Sequence, residues 1–254
     1  MDALRGAVQD GSVELVCVLG PTASGKTRYA VQLARALGSS AEIISADSRQ
    51  VYRRMDIGTG KDLAEYGEVP YHLIDIAEPG TQYNVYRFRE DFFRAYDDIR
   101  SRGGIPILCG GTGLYISAVT SGYDFKNRKP LSRSWTEAGV SIPRCSAAAP
   151  KTFFIGTLVS REVRNARIDA RLDARLQEGM IEEIRALLDE GVPAETLISY
   201  GLEYKFVTLY LTGQLDYEAM REHLAIAIHQ FAKRQMTWFR GMERSGITIH
   251  WVEV

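Results

Sequence analysis

A glycine-containing segment near the start of the chain constrains the fold more than any other feature. The residues Gly20-Pro-Thr-Ala-Ser-Gly-Lys-Thr27 fit the pattern G-x-x-x-x-G-K-[ST]. An apolar run at 14–19 predicts a strand before it, and the apolar spacing over 29–37 predicts a helix after it. In such a P-loop the glycines let the backbone approach an anion, and N–H groups at the helix start point at it.

The residue types within this segment predict a phosphate site. Lys26 adds a positive charge, and the hydroxyl of Thr27 is a suitable ligand for Mg²⁺, which we expect as a cofactor. The predicted phosphate-binding residues are Gly20, Thr22, Ala23, Ser24, Gly25, Lys26 and Thr27. The motif predicts phosphate binding but does not specify the reaction.

The rest of the chain predicts an α/β fold with a P-loop, doubly wound and with a mostly parallel sheet flanked by helices. The further predicted strands are 42–45, 71–75, 105–109, 152–158 and 247–252. The predicted helices include 84–102 and, toward the C-terminus, about 161–190 and 216–240. Ligands of such sheets bind at the carboxyl ends of the strands, where Gly20, Asp47, Asp75 and Gly110 fall.

Length and composition predict one P-loop domain over 1–254. Within it, 122–150 is rich in Ser, Ala, Pro and Arg without a clear period, which predicts a connecting loop. The net charge of −1 provides no overall basic field, so a nucleic acid would need a local patch. We expect no membrane span, because no apolar run approaches the roughly 20 residues required. Three widely spaced cysteines without a CxxC pair, and no signal-peptide pattern, favour the reducing cytoplasm.

Phosphoryl transfer is the commonest chemistry of P-loop proteins, but one expected residue is missing. Kinases and NTPases usually carry an acid at the end of an apolar strand to hold Mg²⁺. Here the strand 105–109 ends in Cys-Gly-Gly-Thr, and only Asp75 resembles such an acid. This weakens the kinase or nucleotide-binding interpretation without excluding it.

Six sequence blocks in order carry a more specific resemblance. They are the P-loop together with 44–52, 55–59, 72–75, 110–115 and 232–240. Together they closely resemble the tRNA dimethylallyltransferases. The resemblance implies transfer of a dimethylallyl group from dimethylallyl diphosphate to the N6 amine of an adenosine beside the anticodon of tRNA. The P-loop would then hold the diphosphate leaving group.

The resemblance also implies roles for individual residues. Asp47 matches the general base of the family, and a base is needed because the amine loses a proton as its new bond forms. Thr112 matches the threonine that contacts the bridging oxygen, and Arg161 and Arg167 match a pair that binds the diphosphate. The residues that match the acceptor side, where tRNA binds, are Asp47, Ser48, Arg49, Gln50, Gln230, Lys233, Arg234 and Gln235.

Some features leave alternatives open. Arg164, Arg171 and Arg175 fall near the helix face of Arg167, and they are either part of the site or a solvated face paired with acids. In the family a helical insertion that grips the anticodon arm occupies the place of 122–150, and the segment 200–205 is altered here. The acceptor is therefore tRNA or a free adenine nucleotide such as AMP. We expect a monomer.

Overall fold

The computed structural model describes residues 2–121, 123–124, 129–130 and 149–254. Its strands are β1 (Leu15–Leu19), β2 (Ala41–Ser45), β3 (Tyr71–His72), β4 (Ile105–Gly110), β5 (Tyr123–Asp124), β6 (Lys129–Pro130), β7 (Thr152–Leu158) and β8 (Ile249–Glu253). Six of them form one parallel sheet in the order β3-β2-β4-β1-β7-β8, and β5 pairs with β6 in antiparallel fashion. The α/β fold predicted from the sequence is confirmed.

Helices cover both faces of the sheet and form an additional layer at the C-terminal end of the chain. They are α1 (Asp2–Gln9), α2 (Lys26–Leu37), α3 (Val85–Ser101), α4 (Gly113–Thr120), α5 (Arg161–Gln177), α6 (Met180–Asp189), α7 (Ala194–Ser199), α8 (Leu202–Leu211) and α9 (Tyr217–Arg244). A short 3₁₀ turn spans Leu63–Glu65. None of the helices in the described ranges combines the length and apolar character that crossing a bilayer requires.

Three hydrophobic clusters explain this layering. On one sheet face, side chains of β1, β2 and β4 pack against α3, α4 and α9, with Phe88 and Phe239 fully buried. On the other face α2 packs through its buried stripe, which includes Leu33. A third cluster contains side chains of the five helices from α5 through α9 and of the segment that follows β2, and it includes Tyr204 and Met55. The third cluster gives the C-terminal helices a core of their own.

The strand register brings the functional loops together. Leu19 at the end of β1 pairs with Gly110 of β4 on one side and with Gly156 of β7 on the other. The P-loop therefore leaves the sheet beside the 110–113 turn and beside Thr157. Because β2 adjoins β4, the segment after Ser45 reaches the same edge.

Several predicted elements differ from the structure. The helix predicted over 161–190 is two helices, because Gly179 has a φ of 102° and ends the first. The predicted strand 71–75 stops after His72, since Leu73 and Asp75 have φ values of 62° and 57°, outside the strand region. Helices α1, α4, α7 and α8 were not predicted from the sequence. Most of the predicted loop 122–150 lies outside the described residues.

Candidate active site

The P-loop wraps tightly around the end of β1. Ala23 and Gly25 have φ values of 61° and 75°, the left-handed conformation typical of an anion-binding loop. Gly20 is closely packed, because a Cβ there would lie 2.4 Å from Oγ1 of Thr157 and 2.6 Å from Oγ of Ser24. The Ser24 and Thr157 hydroxyls are themselves hydrogen-bonded at 2.7 Å. The hydroxyl of Ser24 thus fixes the loop to β7.

A polar cleft opens beside the P-loop, and residues from seven parts of the chain line it. Lys26 is half-buried there, and the predicted Mg²⁺ ligand Thr27 lies beside it. Burial lowers the pKa of Lys26, and the charges of Arg171 and Arg49 act in the same direction. The other lining residues are Thr22, Ser45, Asp47, Gln50, Thr59, Gly60, Tyr66, Cys109, Gly110, Arg175, Glu203, Phe231 and Gln235.

Asp47 and Thr112 come together at the ends of β2 and β4. The Ala46 N–H donates to the Cys109 carbonyl at 2.7 Å, and the Ser48 N–H donates to Oγ1 of Thr112 at 3.3 Å. Oδ1 of Asp47 accepts a hydrogen bond from the Arg49 N–H at 2.9 Å, and its carboxylate lines the cleft together with Lys26. The structure therefore brings together the predicted base, the predicted threonine and the P-loop lysine.

Arg49 connects the predicted base to a residue that sequence reasoning missed. Its Nη1 donates to Oε2 of Glu203 at 2.7 Å, and its Nε lies 3.6 Å from Oδ1 of Asp47. Although burial opposes the charged form of Arg49, the carboxylates of Glu203 and Asp47 raise its pKa. Glu203 lies in the altered segment 200–205, which is the only signal in the sequence that pointed to it.

The predicted acceptor-side residues divide into exposed and internal groups. Gln230, Lys233 and Arg234 on α9 are exposed, as an RNA contact requires. Gln50 is used internally: its Oε1 accepts from the Ser45 hydroxyl and its Nε2 donates to the Gly60 carbonyl, each at 3.1 Å.

Gln235 is also internal. It is 7% exposed, its Oε1 accepts from the Thr22 N–H at 2.8 Å, and its Nε2 donates to the Gly111 carbonyl at 2.9 Å. The contact of either Gln50 or Gln235 with an acceptor stays a prediction.

The predicted arginine pair lies apart from the cleft. Arg161 and Arg167 are exposed on α5, whereas Arg171 and Arg175 of the same helix line the cleft. Arg171 and Arg175 lie three and seven positions after the buried Ile168, which places them near its face of the helix. The role of Arg161 and Arg167 in diphosphate binding stays a prediction. Of the open alternatives, the solvated face is wrong for Arg175, which is 9% exposed.

Two networks of charged side chains hold the loop 56–60 beside the cleft. Oε2 of Glu183 accepts from the N–H groups of Asp56 at 2.8 Å and Ile57 at 2.7 Å. Its Oε1 accepts from the Gly58 N–H at 3.1 Å and the Tyr204 hydroxyl at 2.5 Å.

The second network surrounds Lys61, which is 2% exposed. Its Nζ donates to Tyr52 O at 2.7 Å, to Asp56 at 2.6 Å and to Asp75. Asp75, the one candidate for a kinase-type acid, is thus engaged with Lys61 and does not line the cleft.

The oxygen donors of the cleft fit a Mg²⁺ ion that is held mainly by a substrate. Among the described residues no group of three or more His, Cys, Asp or Glu side chains is arranged to hold a metal by itself. Mg²⁺ commonly uses one or two protein oxygens together with phosphate oxygens and water. Thr27, which lines the cleft, is a suitable hard donor for this arrangement.

Comparison with known proteins assigns the chain to a family. A profile of the family described as IPP transferase matches residues 50–142 and 125–242, and one described as isopentenyl transferase matches 13–68. A tRNA dimethylallyltransferase of Parabacteroides distasonis is 48% identical, over 95% of this chain and 93% of that protein. One from Porphyromonas gingivalis is 49% identical, over 94% and 93%. The chain belongs to the tRNA dimethylallyltransferase family.

Solved structures of this family have the same fold. The tRNA isopentenylpyrophosphate transferase of Bacillus halodurans superposes with a TM-score of 0.79 and 30% identity, over 94% of this chain and 89% of that chain. The Staphylococcus epidermidis enzyme gives a TM-score of 0.77 and 28% identity, over 94% and 92%.

The tRNA dimethylallyltransferase of Parabacteroides distasonis contains residues that this chain lacks. The alignment with the Parabacteroides distasonis protein extends over 287 positions, more than the 254 residues of this chain. The two segments matched by the IPP transferase profile overlap at 125–142, within the region predicted to replace the helical insertion.

Proposed function

We propose that this enzyme transfers the dimethylallyl group of dimethylallyl diphosphate to the N6 amine of an adenosine next to the anticodon of tRNA. The observation that carries the proposal is the placement of Asp47 and Lys26 in one cleft, in a chain of the tRNA dimethylallyltransferase family. A base for an amine and a cradle for a diphosphate are the two parts that this alkyl transfer requires.

On the donor side of the reaction, the P-loop binds the departing diphosphate and its negative charge. The bond between the allylic carbon and the bridging oxygen breaks, and its electron pair goes to the diphosphate. The Lys26 ammonium and backbone N–H groups of the P-loop stabilise that charge, apart from the N–H groups of Thr22 and Ser24, which donate to Gln235 and to the Pro21 carbonyl. Oγ1 of Thr112 accepts from the Ser48 N–H, so its own proton can be directed to the bridging oxygen. When Mg²⁺ is bound at Thr27, it neutralises part of the charge on the phosphate oxygens.

On the acceptor side of the reaction, Asp47 accepts the proton that the amine loses. As the N6 lone pair forms the new carbon–nitrogen bond, one amine proton moves to the carboxylate. Oδ1 is engaged by the Arg49 N–H, so we assign Oδ2 as the atom that receives the proton. The adenine has to leave its base stack to reach this cleft, as in other enzymes that modify a base. The exposed Gln230, Lys233 and Arg234 then face the RNA from α9.

A labelling experiment tests the proposal. Purified enzyme, Mg²⁺ and radiolabelled dimethylallyl diphosphate are incubated separately with bulk tRNA and with AMP, and the RNA is digested to nucleosides. We expect label in an N6-prenylated adenosine from tRNA. Label found only in AMP would show that the acceptor is a free nucleotide and not tRNA. ATP hydrolysis without any prenyl transfer would overturn the proposal. A cytoplasmic location and a monomeric state remain further parts of the proposal.

A further inference from the structure

One buried arginine in the cleft lacks a full set of partners. Arg175 of α5 is 9% exposed, and its Nη1 lies 3.7 Å from Oε1 of Glu203. Its Nη2 is buried and has no hydrogen-bond partner among the described residues. The guanidinium lies against Gly60, where a Cβ would be 1.5 Å from Nη2. Only glycine fits at position 60, because any larger residue there would collide with this guanidinium.

The surroundings of Arg175 neutralise its charge only in part. Glu203 is shared with Arg49, which holds it at the shorter distance of 2.7 Å. Burial, together with the charge of Arg171, lowers the pKa of Arg175 to about 10. A buried guanidinium in this position is unfavourable for the protein alone, so an additional anionic partner would relieve the unfavourable burial.

The cleft as a whole carries an excess of positive charge. Its described lining includes Lys26, Arg49, Arg171 and Arg175 but, as carboxylates, only Asp47 and Glu203. Such a cleft favours a ligand with several negative charges. Arg175 reaches the cleft from α5, whereas Lys26 lies on α2. The planar fork of arginine matches two oxygens of one phosphate.

We propose that Arg175 is a ligand of the donor diphosphate, with its guanidinium bound to an oxygen of the terminal phosphate. The inference rests on the proposed function, because it takes the anion in the cleft to be a diphosphate. The competing interpretation is purely structural, with Arg175 serving only as an ion pair that ties α5 to Glu203 of α8.

Inorganic pyrophosphate with Mg²⁺ is the probe that separates these interpretations. Calorimetric titration compares wild type, Arg175→Met and the matched control Arg185→Met, which changes an exposed arginine of α6. We expect Arg175→Met to weaken pyrophosphate binding at least about 10-fold, as loss of a hydrogen bond between charged groups does. Its melting temperature should be equal to or higher than that of wild type, because a buried, under-neutralised charge has been removed.

The outcomes are distinct. Pyrophosphate affinity of Arg175→Met within about two-fold of wild type would overturn the assignment, and so would a lower melting temperature with unchanged affinity. If Arg175→Met fails to melt cooperatively, the neutral and polar Arg175→Gln variant decides by the same affinity criterion. The wild-type protein could bind pyrophosphate in a way that depends on Arg175 and yet label neither tRNA nor AMP. That result would support this site and contradict the proposed function. Label in tRNA, together with an unchanged pyrophosphate affinity of Arg175→Met, would support the proposed function and contradict this site.

Discussion

Oε1 of Gln235 lies 2.8 Å from the backbone nitrogen of Thr22, which places a side chain of the C-terminal helix α9 on the P-loop. The same amide donates to the Gly111 carbonyl at 2.9 Å. Gly111 has no room for a side chain, because a Cβ there would lie 2.4 Å from Nε2 of Gln235. One buried amide therefore fixes the distance between the two loops that we assign to the diphosphate.

Gln235→Leu should lower turnover more than it lowers tRNA affinity. The substitution keeps the volume but removes both hydrogen bonds, and it leaves the Thr22 N–H and Gly111 carbonyl without partners. We expect kcat to fall by about 10-fold or more, because misplaced phosphate donors stabilise the transition state less. Steady-state kinetics and filter binding of tRNA measure the two quantities. Gln230→Leu, on the exposed face of the same helix, should instead act on tRNA affinity alone. Equal loss of tRNA affinity in both variants would contradict the positioning role of Gln235.

Asp47→Asn should abolish most of the chemical step while it leaves diphosphate binding intact. Asparagine keeps an oxygen for the Arg49 N–H but cannot accept the amine proton. General-base catalysis contributes about 10²- to 10⁴-fold, so single-turnover prenylation should slow by that factor. Pyrophosphate affinity should be equal or tighter, since one negative charge is lost. Asp97→Asn, an exposed control on α3, should behave as wild type. A single-turnover rate near that of wild type would remove Asp47 from the role of base.

Glu183→Gln should destabilise the protein by about 2 to 3 kcal/mol. The carboxylate accepts from the N–H groups of Asp56, Ile57 and Gly58 and from the Tyr204 hydroxyl, whereas an amide nitrogen cannot accept. Burial raises the pKa of Tyr204, and Glu183 raises it further, so the hydroxyl remains a donor. Urea unfolding measures the loss, and the exposed neighbour Glu182→Gln is the control. A free energy of unfolding equal to that of Glu182→Gln would show that loop 56–60 does not depend on this carboxylate.

Glu42 should make stability depend on pH in the acid range. Its carboxylate accepts from Nη1 of Arg102 at 2.6 Å and pairs with Nε2 of His72 at 2.7 Å. The hydrogen bond from Arg102 lowers the pKa of Glu42 below its ordinary value of 4.5 despite burial. The unfolded state therefore binds the proton first, so this stabilisation is complete above pH 4.5 and is lost as pH falls through the lowered pKa.

The variant Glu42→Gln tests the direction of this pH dependence. The variant should be less stable than wild type by about 2 kcal/mol at pH 7. The difference in the free energy of unfolding should shrink at acid pH, which urea titrations between pH 7 and pH 3 can measure. A difference that stays constant over that range would show that the ionised form of Glu42 is not preferentially stabilised by folding.

Much of the site was predictable because its signals are local. A strand, a glycine turn and a helix in immediate succession determine the P-loop, and Asp47 and Thr112 each directly follow the end of a parallel strand. Adjacent parallel strands deliver such residues to the same edge. The long C-terminal region was less predictable. A continuous pattern over 161–190 hid the break at Gly179, where the left-handed φ of 102° suits glycine.

The sequence by itself determined the α/β fold, the P-loop and the family, since these depend on short motifs and on apolar periodicity. Only the tertiary structure decided which polar side chains serve the cleft. Gln235 contacts Thr22 across 213 positions and Arg49 contacts Glu203 across 154, and no local pattern encodes such pairs. The physical reason is that packing of α5, α8 and α9 sets which face of each helix is buried. That packing places Arg175 in the cleft and leaves Arg161 and Arg167 exposed to solvent.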